Sequence, residues 1–229
     1  MLSTPTNTMK LVAWLAGLIA CTAAQKCCPP KQFEAFMGEV GGTCTPQGQS
    51  GLFFVTGQVH YDYKKAMVAA EEYISTEKQV KVQIIQDYNS NTQYVVQAGK
   101  CTKSDLPGSI ENTCVPDYAV YGGRLVYGLN AALEIDMYSF EGQQLGTNYS
   151  VQVLVTSKEC LYFAQNTFID SPQVDIIMNS GYTNTTLGIK DPSVFDVPKI
   201  CDHGDVIPFK AMHDIIPDRM KWLLIFGAR

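Results

Sequence analysis

The sequence predicts a mainly β fold, either two antiparallel sheets or one strongly curved sheet, around an apolar pocket and stapled by disulfides. Apolar residues recur with a period of two in several segments, which is typical of strands with one buried face. Hydrophobic residues make up 46% of the 229 residues and charged residues 17%. Eight cysteines are spread along the chain, and in an exported protein such spacing is typical of a disulfide framework.

The first residues predict export. Met9 and Lys10 precede an apolar run from Leu11 to Ala20, and small residues follow, which is the pattern of a secretory signal peptide. The run is shorter than the ~20 residues that a membrane-spanning helix needs, so a retained anchor is the disfavoured alternative. We expect a signal peptide over 1–24, with cleavage after Ala23 the close competitor. A single β domain would then occupy 25–205 and a tail 206–229.

Period-two alternation marks the candidate strands. They lie at 51–61, 80–97, 133–137, 149–155 and 174–178. The second of these contains Asn89, Ser90 and Asn91, which predict the turn of a hairpin. Residues 63–74 are rich in alanine and could be helical by propensity, but strand patterns continue on both sides, so strand is favoured. The glycine-rich stretch 38–51 is interpreted as a flexible loop, since it lacks the phosphate-binding pattern.

Residues 187–201 predict a rigid arm that follows a strand. Pro192 and Pro198 fix the backbone and push the residues before them out of the helical region. Phe195 supplies an apolar anchor, and Cys201 ends the segment. Such an arm makes sense if it lies across a sheet and is held there by a disulfide.

Charge and motif content argue against nucleic-acid binding and against catalysis. The net charge is −5, whereas phosphate binding needs clustered Lys and Arg. The three histidines, His60, His203 and His213, match neither a nucleophile–base motif nor a metal-ligand motif. Glu71 and Glu72 would point to opposite faces of a strand. We expect no enzyme, a satisfied His60 and a solvated His203.

The order of six motifs resembles the ependymin-related family, with an invertebrate-type pattern. The motifs are CCPPKQFEA (27–35), VHYDYKKAMV (59–68), VQIIQDYNSNTQYVV (82–96), GKCTKSDL (99–106), CVPDYA (114–119) and LGIKDPSVFDVPKIC (187–201). The resemblance implies a secreted glycoprotein with a half barrel like that of bacterial lipoprotein carriers. It implies a lipid, fatty acyl or ganglioside ligand, calcium binding, and extracellular or lysosomal residence. The alternative that it implies is a calcium-dependent matrix or cell-matrix adhesion protein without a carrier role.

The resemblance and the apolar alternation together predict the site residues. The predicted pocket lining is Val82, Ile84, Leu133, Ile135, Val151 and Val153. Asn148 and Asn184 begin valid glycosylation sequons. No cofactor other than calcium is expected. Aspartates at 191, 196, 202 and 205 offer oxygens, but no complete set of calcium ligands is visible.

Seven cysteines follow the signal peptide, so one is left over from any full pairing. The resemblance implies Cys27–Cys160 and Cys101–Cys201. Elimination then gives Cys28–Cys114, because Cys44 lies in the glycine-rich stretch outside the shared motifs. Cys44 is therefore expected to be free or to link two copies in a homodimer.

Overall fold

A computed structural model describes residues 27–75, 78–106, 110, 114–144 and 147–207. The predicted signal peptide and residues 208–229 of the predicted tail lie outside the described residues. No helix in these described ranges is both long and apolar enough to cross a membrane.

Long strands make up most of the described chain. They are β1 (Gln32–Cys44), β2 (Ser50–Asp62), β3 (Met67–Ser75), β4 (Gln79–Asp87), β5 (Thr92–Gln97), β6 (Lys100–Asp105), β7 (Val120–Tyr127), β8 (Leu133–Gln144), β9 (Thr147–Thr156), β10 (Tyr162–Asp170), β11 (Asp175–Leu187) and β12 (Asp205–Val206). Short 3-10 helices occupy Leu129–Ala131, Pro192–Phe195 and Lys199–His203. The mainly β prediction is therefore confirmed.

All the strands belong to one open, curved sheet, so the single-sheet alternative holds. The strand order is β12-β6-β5-β4-β3-β2-β1-β11-β10-β9-β8-β7. Strands β1 to β6 form one antiparallel meander and β7 to β11 form another. The two meanders join where β1 pairs with β11. Among the described strands, only the short β12 pairs in parallel, with β6.

The two faces of the sheet differ in burial. We define the inner face as the face that carries Met37, Val55 and Val82, which are at most 6% exposed. The outer face carries side chains such as Phe36, Phe54 and Phe168, which are 46–53% exposed. Because side chains alternate along a strand, the ladder register assigns every strand residue to one of these faces.

The interpretation of 38–51 as a flexible loop is wrong. Residues up to Cys44 belong to β1, and β2 resumes at Ser50 after a short turn. Glycine at 41 is a packing requirement, since a Cβ there would come within 2.3 Å of the ring of Phe53. The ring of Phe53 fills the space on the inner face that a side chain at Gly41 would take, so here glycine marks close packing.

Residues 63–74 form a turn and a strand, as favoured from the sequence. Ala66 closes the turn with a φ of 51°, and β3 follows. Ala69 is 4% exposed because Phe195 covers it on the outer face. One of the alanines that suggested a helix, Ala69, thus provides a small side chain on which the arm packs.

The arm after β11 crosses the outer face of β3 to β6. Phe195 is 4% exposed and packs with Ala69 and Ile85. Asp191 caps the 3-10 helix, since its Oδ1 accepts a hydrogen bond from the Ser193 N–H at 2.9 Å. The disulfide from Cys201 to Cys101 on β6 holds the far end. The arm prediction is confirmed, although two 3-10 helices interrupt its extended course.

Candidate functional site: the inner face of the sheet

Four of the six predicted lining residues lie on the inner face. Val82 and Ile84 are on β4, Val151 and Val153 are on β9, and all four are at most 4% exposed. The two pairs lie on the same face, because residues that are directly opposite each other on neighbouring strands point to the same side of the sheet.

The prediction is wrong for Leu133 and Ile135. On β8, Tyr138 is opposite Val153 and Phe140 is opposite Val151, whereas Ile135 is opposite Thr156. Leu133 and Ile135 therefore point to the outer face. The error came from counting Tyr138 as a polar residue in the alternation of this strand.

Tyr138 and Phe140 are the inner-face residues that the sequence reasoning missed. Both pack against the buried cluster that contains Val153 and Val155. Two aromatic side chains spaced two residues apart were the available signal. They extend the apolar inner surface to β8.

The inner face carries a buried apolar cluster that extends from β5 to β10. This cluster consists of Met37, Phe53, Val55, Ile74, Val82, Ile84, Val95, Ile169, Val174, Ile176 and Met178. A smaller cluster, which includes Phe33, Ala35 and Tyr61, extends the surface along β1 and β2, with Ile110 packed against it. Side chains of this apolar kind are the ones that line small-molecule sites.

Two buried carboxyl groups interrupt the apolar surface near its middle. Glu39 is 5% exposed and Glu72 is 1% exposed. Ser180 donates a hydrogen bond through Oγ to Glu39 Oε2 at 2.7 Å. Glu72 lies over the bare backbone of Gly57, and its Oε1 accepts no hydrogen bond from the described residues.

Burial controls the ionisation of Glu72. Desolvation by burial, and to a smaller extent the charge of the nearby Glu39, raises the pKa of this carboxyl to about 8. The neighbouring Glu71 points to the outer face, as expected, and is paired with Lys81 at 2.9 Å. Glu72 is thus neutral at pH 7 and can donate a hydrogen bond.

Three disulfides staple the sheet, and they join the pairs expected from the sequence. The bonds are Cys27–Cys160, Cys28–Cys114 and Cys101–Cys201. Cys44 is the free cysteine among the described residues, and it is exposed at the end of β1. The sequence separations of 133, 86 and 100 residues mean that each bond restrains a long loop of the unfolded chain.

The remaining sequence candidates lie away from the inner face. Asn148 and Asn184 are both exposed, on β9 and β11. His60 contacts Glu34 Oε1 through Nδ1 at 3.2 Å, and His203 is exposed. His213 lies outside the described residues.

The part of the chain that the structure describes does not bring together a set of calcium ligands. That part contains no group of three or more His, Cys, Asp or Glu residues that could hold a metal ion. Of the four candidate aspartates, Asp191 is engaged in capping. These residues do not fit the six to eight oxygens that calcium takes.

These features define a class of small β protein in which one curved sheet has an apolar inner face, three disulfides link its segments, and an arm packs on its outer face. The chain belongs to the Ependymin family, whose model matches residues 76–201, more than half of its length.

Two curated relatives come from Haliotis asinina. Ependymin-related protein 2 is 29% identical over 205 residues, which cover 83% of this chain and 96% of that protein. Ependymin-related protein 1 is 28% identical over 208 residues, which cover 85% and 98%.

Among solved structures, the chain is similar to a LolA superfamily protein from Nitrosomonas europaea, with 9% identity and a TM-score of 0.33. The match covers 74% of this chain and 91% of that one. At this TM-score the likeness carries no inference about this chain.

Proposed function

We propose that this protein is a secreted, non-catalytic carrier that holds an amphiphile, such as a lipid or fatty acyl chain, against the inner face of its sheet. The apolar cluster that lines the inner face from β5 to β10 carries the proposal. Each CH₂ group of an acyl chain that leaves water contributes about 0.8 kcal/mol to binding. A chain of ordinary length therefore binds such a surface without any charged partner.

The disulfides and sequons support export. Three structural disulfides are typical of oxidising compartments such as the extracellular space. The exposed side chains of Asn148 and Asn184 are accessible to glycosylation. The exposed thiol of Cys44 is available to link two copies, so we include a homodimer in the proposal.

The adhesion alternative depends on calcium, and the described residues offer no calcium site. The carrier role is therefore the function that the geometry supports best, and calcium is not part of it.

The proposal is tested by titrating delipidated protein with a fluorescent fatty acid and a fluorescent ganglioside. Two variants make a matched pair: Phe140→Glu places a charge on the inner face, and Phe168→Glu places the same charge on the exposed outer face. We expect saturable binding that Phe140→Glu weakens at least tenfold and that Phe168→Glu leaves unchanged. Circular dichroism and disulfide mapping check that both variants fold. Equal effects of the two variants, or no saturable binding to the parent protein, would contradict the proposal.

A further inference from the structure

A cavity lies on the outer face of the sheet, on the side opposite the apolar inner cluster. It is a groove of about 640 Å³ that crosses β11, β1, β2 and β3. Its floor contains the paired glycines Gly38 and Gly181, and we call it the glycine groove. Phe36 and Tyr73 stand at its edges.

The fold does not require glycine at either floor position. Neither residue has a positive φ. A Cβ at Gly38 would meet nothing within 4 Å, and a Cβ at Gly181 would meet only the Gly38 carbonyl oxygen, at 4.0 Å. Gly41 and Gly57 differ, because a Cβ at either would come within 2.3 Å of a neighbouring atom.

Two neighbouring glycines that neither backbone conformation nor packing requires make a sheet less stable. Glycine loses more backbone entropy on folding than other residues and offers no side chain to pack. What the two glycines create here is open space between rows of larger side chains. Space of this kind in a strand marks a place where another molecule approaches the backbone closely.

The edges of the groove present two aromatic rings to solvent. Phe36 is 46% exposed and Tyr73 is 36% exposed. The Tyr73 hydroxyl donates a hydrogen bond to Glu71 Oε1 at 2.9 Å, and Lys81 Nζ lies 5.8 Å from the centre of the Tyr73 ring. Lys81 also pairs with Glu71 Oε2 at 2.9 Å, so the Tyr73 ring is held in place before any ligand arrives.

Between the rings the groove offers uncharged hydrogen-bonding groups. The hydroxyls of Thr56 and Thr183 and the amide of Gln58 line it. None of these three side chains makes a hydrogen bond to another described residue. They can therefore donate to a ligand and accept from it without breaking a contact within the protein.

We propose that the glycine groove binds a neutral saccharide. A pyranose ring presents C–H groups that pack on the faces of aromatic rings, and hydroxyls that match threonine and glutamine side chains. The charges of Glu71 and Lys81 at the groove neutralise each other, so a charge on the sugar would add no binding energy there.

Two other occupants fit less well. An acyl chain would take the three uncharged polar groups out of water without replacing their hydrogen bonds, which is unfavourable. An extended peptide gains affinity by adding to a strand edge, but β1, β2, β3 and β11 are each paired on both sides. The groove is independent of the carrier function, and either can fail without the other.

The test is a binding screen of the full mature protein after enzymatic removal of its N-glycans. The probes are neutral oligosaccharides that end in glucose, galactose, mannose or N-acetylglucosamine, with isothermal titration of those that bind. Gly38→Val and Gly181→Val fill the floor at positions where an added Cβ meets no atom closer than 4.0 Å, and we expect each to weaken binding at least tenfold. Because the Cβ has room at both positions and valine favours strands, both variants should keep or raise the melting temperature.

Gly51→Val is the matched control. Its Cβ would meet only the end of the Thr43 side chain, at 3.4 Å, and Gly51 lies outside the groove. It should leave saccharide affinity unchanged. Absence of binding to every probe, or binding that survives both floor variants, would overturn the proposal.

Discussion

At the scale of single residues, the most unusual group is the buried carboxyl of Glu72. Its pKa of about 8 lies above its ordinary value of 4.5. Between these two pH values the folded chain keeps a proton that the unfolded chain has lost. Stability from this group therefore falls as pH rises through that range, at a limiting slope of about 1.4 kcal/mol per pH unit.

The variant Glu72→Gln tests this account of pH dependence. Glutamine has nearly the same shape and does not ionise, so we expect the decline in unfolding free energy between pH 5 and 8 to become shallower. The measurement is urea denaturation at a series of pH values. Glu71→Gln, which changes the outward-facing neighbour, is the control and should keep the decline. An unchanged decline in Glu72→Gln would show that other groups cause it.

The sequence could not identify Glu39 and Glu72 as buried. Alternation places Glu39 on the face of Met37 and Glu72 on the face of Ile74. A glutamate in a strand is nevertheless ordinarily a solvent-facing residue. Their burial depends on Gly57, which leaves room for Glu72, and on Ser180, which comes from a strand more than a hundred residues away.

At the scale of elements, the arm after β11 is the clearest case of agreement between sequence and structure. Its prolines and its cysteine predicted a pinned, irregular segment, and Phe195 anchors it on Ala69 and Ile85. Phe195→Ala should lower the unfolding free energy by about 3–5 kcal/mol, because it leaves a cavity beneath the arm.

Phe54→Ala is the control for that measurement. Phe54 is on the outer face as well but is 53% exposed, so its loss should cost less than about 1 kcal/mol. Both values come from denaturant unfolding with the disulfides intact. Equal losses for the two variants would mean that the arm does not contribute to the stability of the sheet.

Period-two alternation predicted the hairpin of β4 and β5 correctly, but it misplaced the face of β8. On β4 the apolar Val80, Val82 and Ile84 alternate with the polar Lys81 and Gln83. Ile85 is the apolar exception, because the arm covers it on the outer face. On β8 both faces carry large side chains, Ile135 and Met137 on one and Tyr138 and Phe140 on the other. Where both faces are apolar, the alternation no longer distinguishes inside from outside.

At the scale of the whole molecule, the fold class could be predicted but the strand order could not. Alternation shows where strands lie and says nothing of which distant strands pair. The pairing of β1 with β11 joins residues near the two ends of the domain. The expected disulfide pairs were the source of long-range contacts in the prediction, since Cys27–Cys160 and Cys101–Cys201 join distant segments.

The central claim is that an amphiphile binds the inner face of the sheet. The most direct measurement is photolabelling of the delipidated protein with a fatty acid that carries a photoactivatable group on its chain, followed by peptide mapping. Labels should fall on inner-face residues such as Val82, Val151 and Phe140, and unlabelled fatty acid should compete them away. Labels confined to the outer face, or labels that no competitor reduces, would contradict the account.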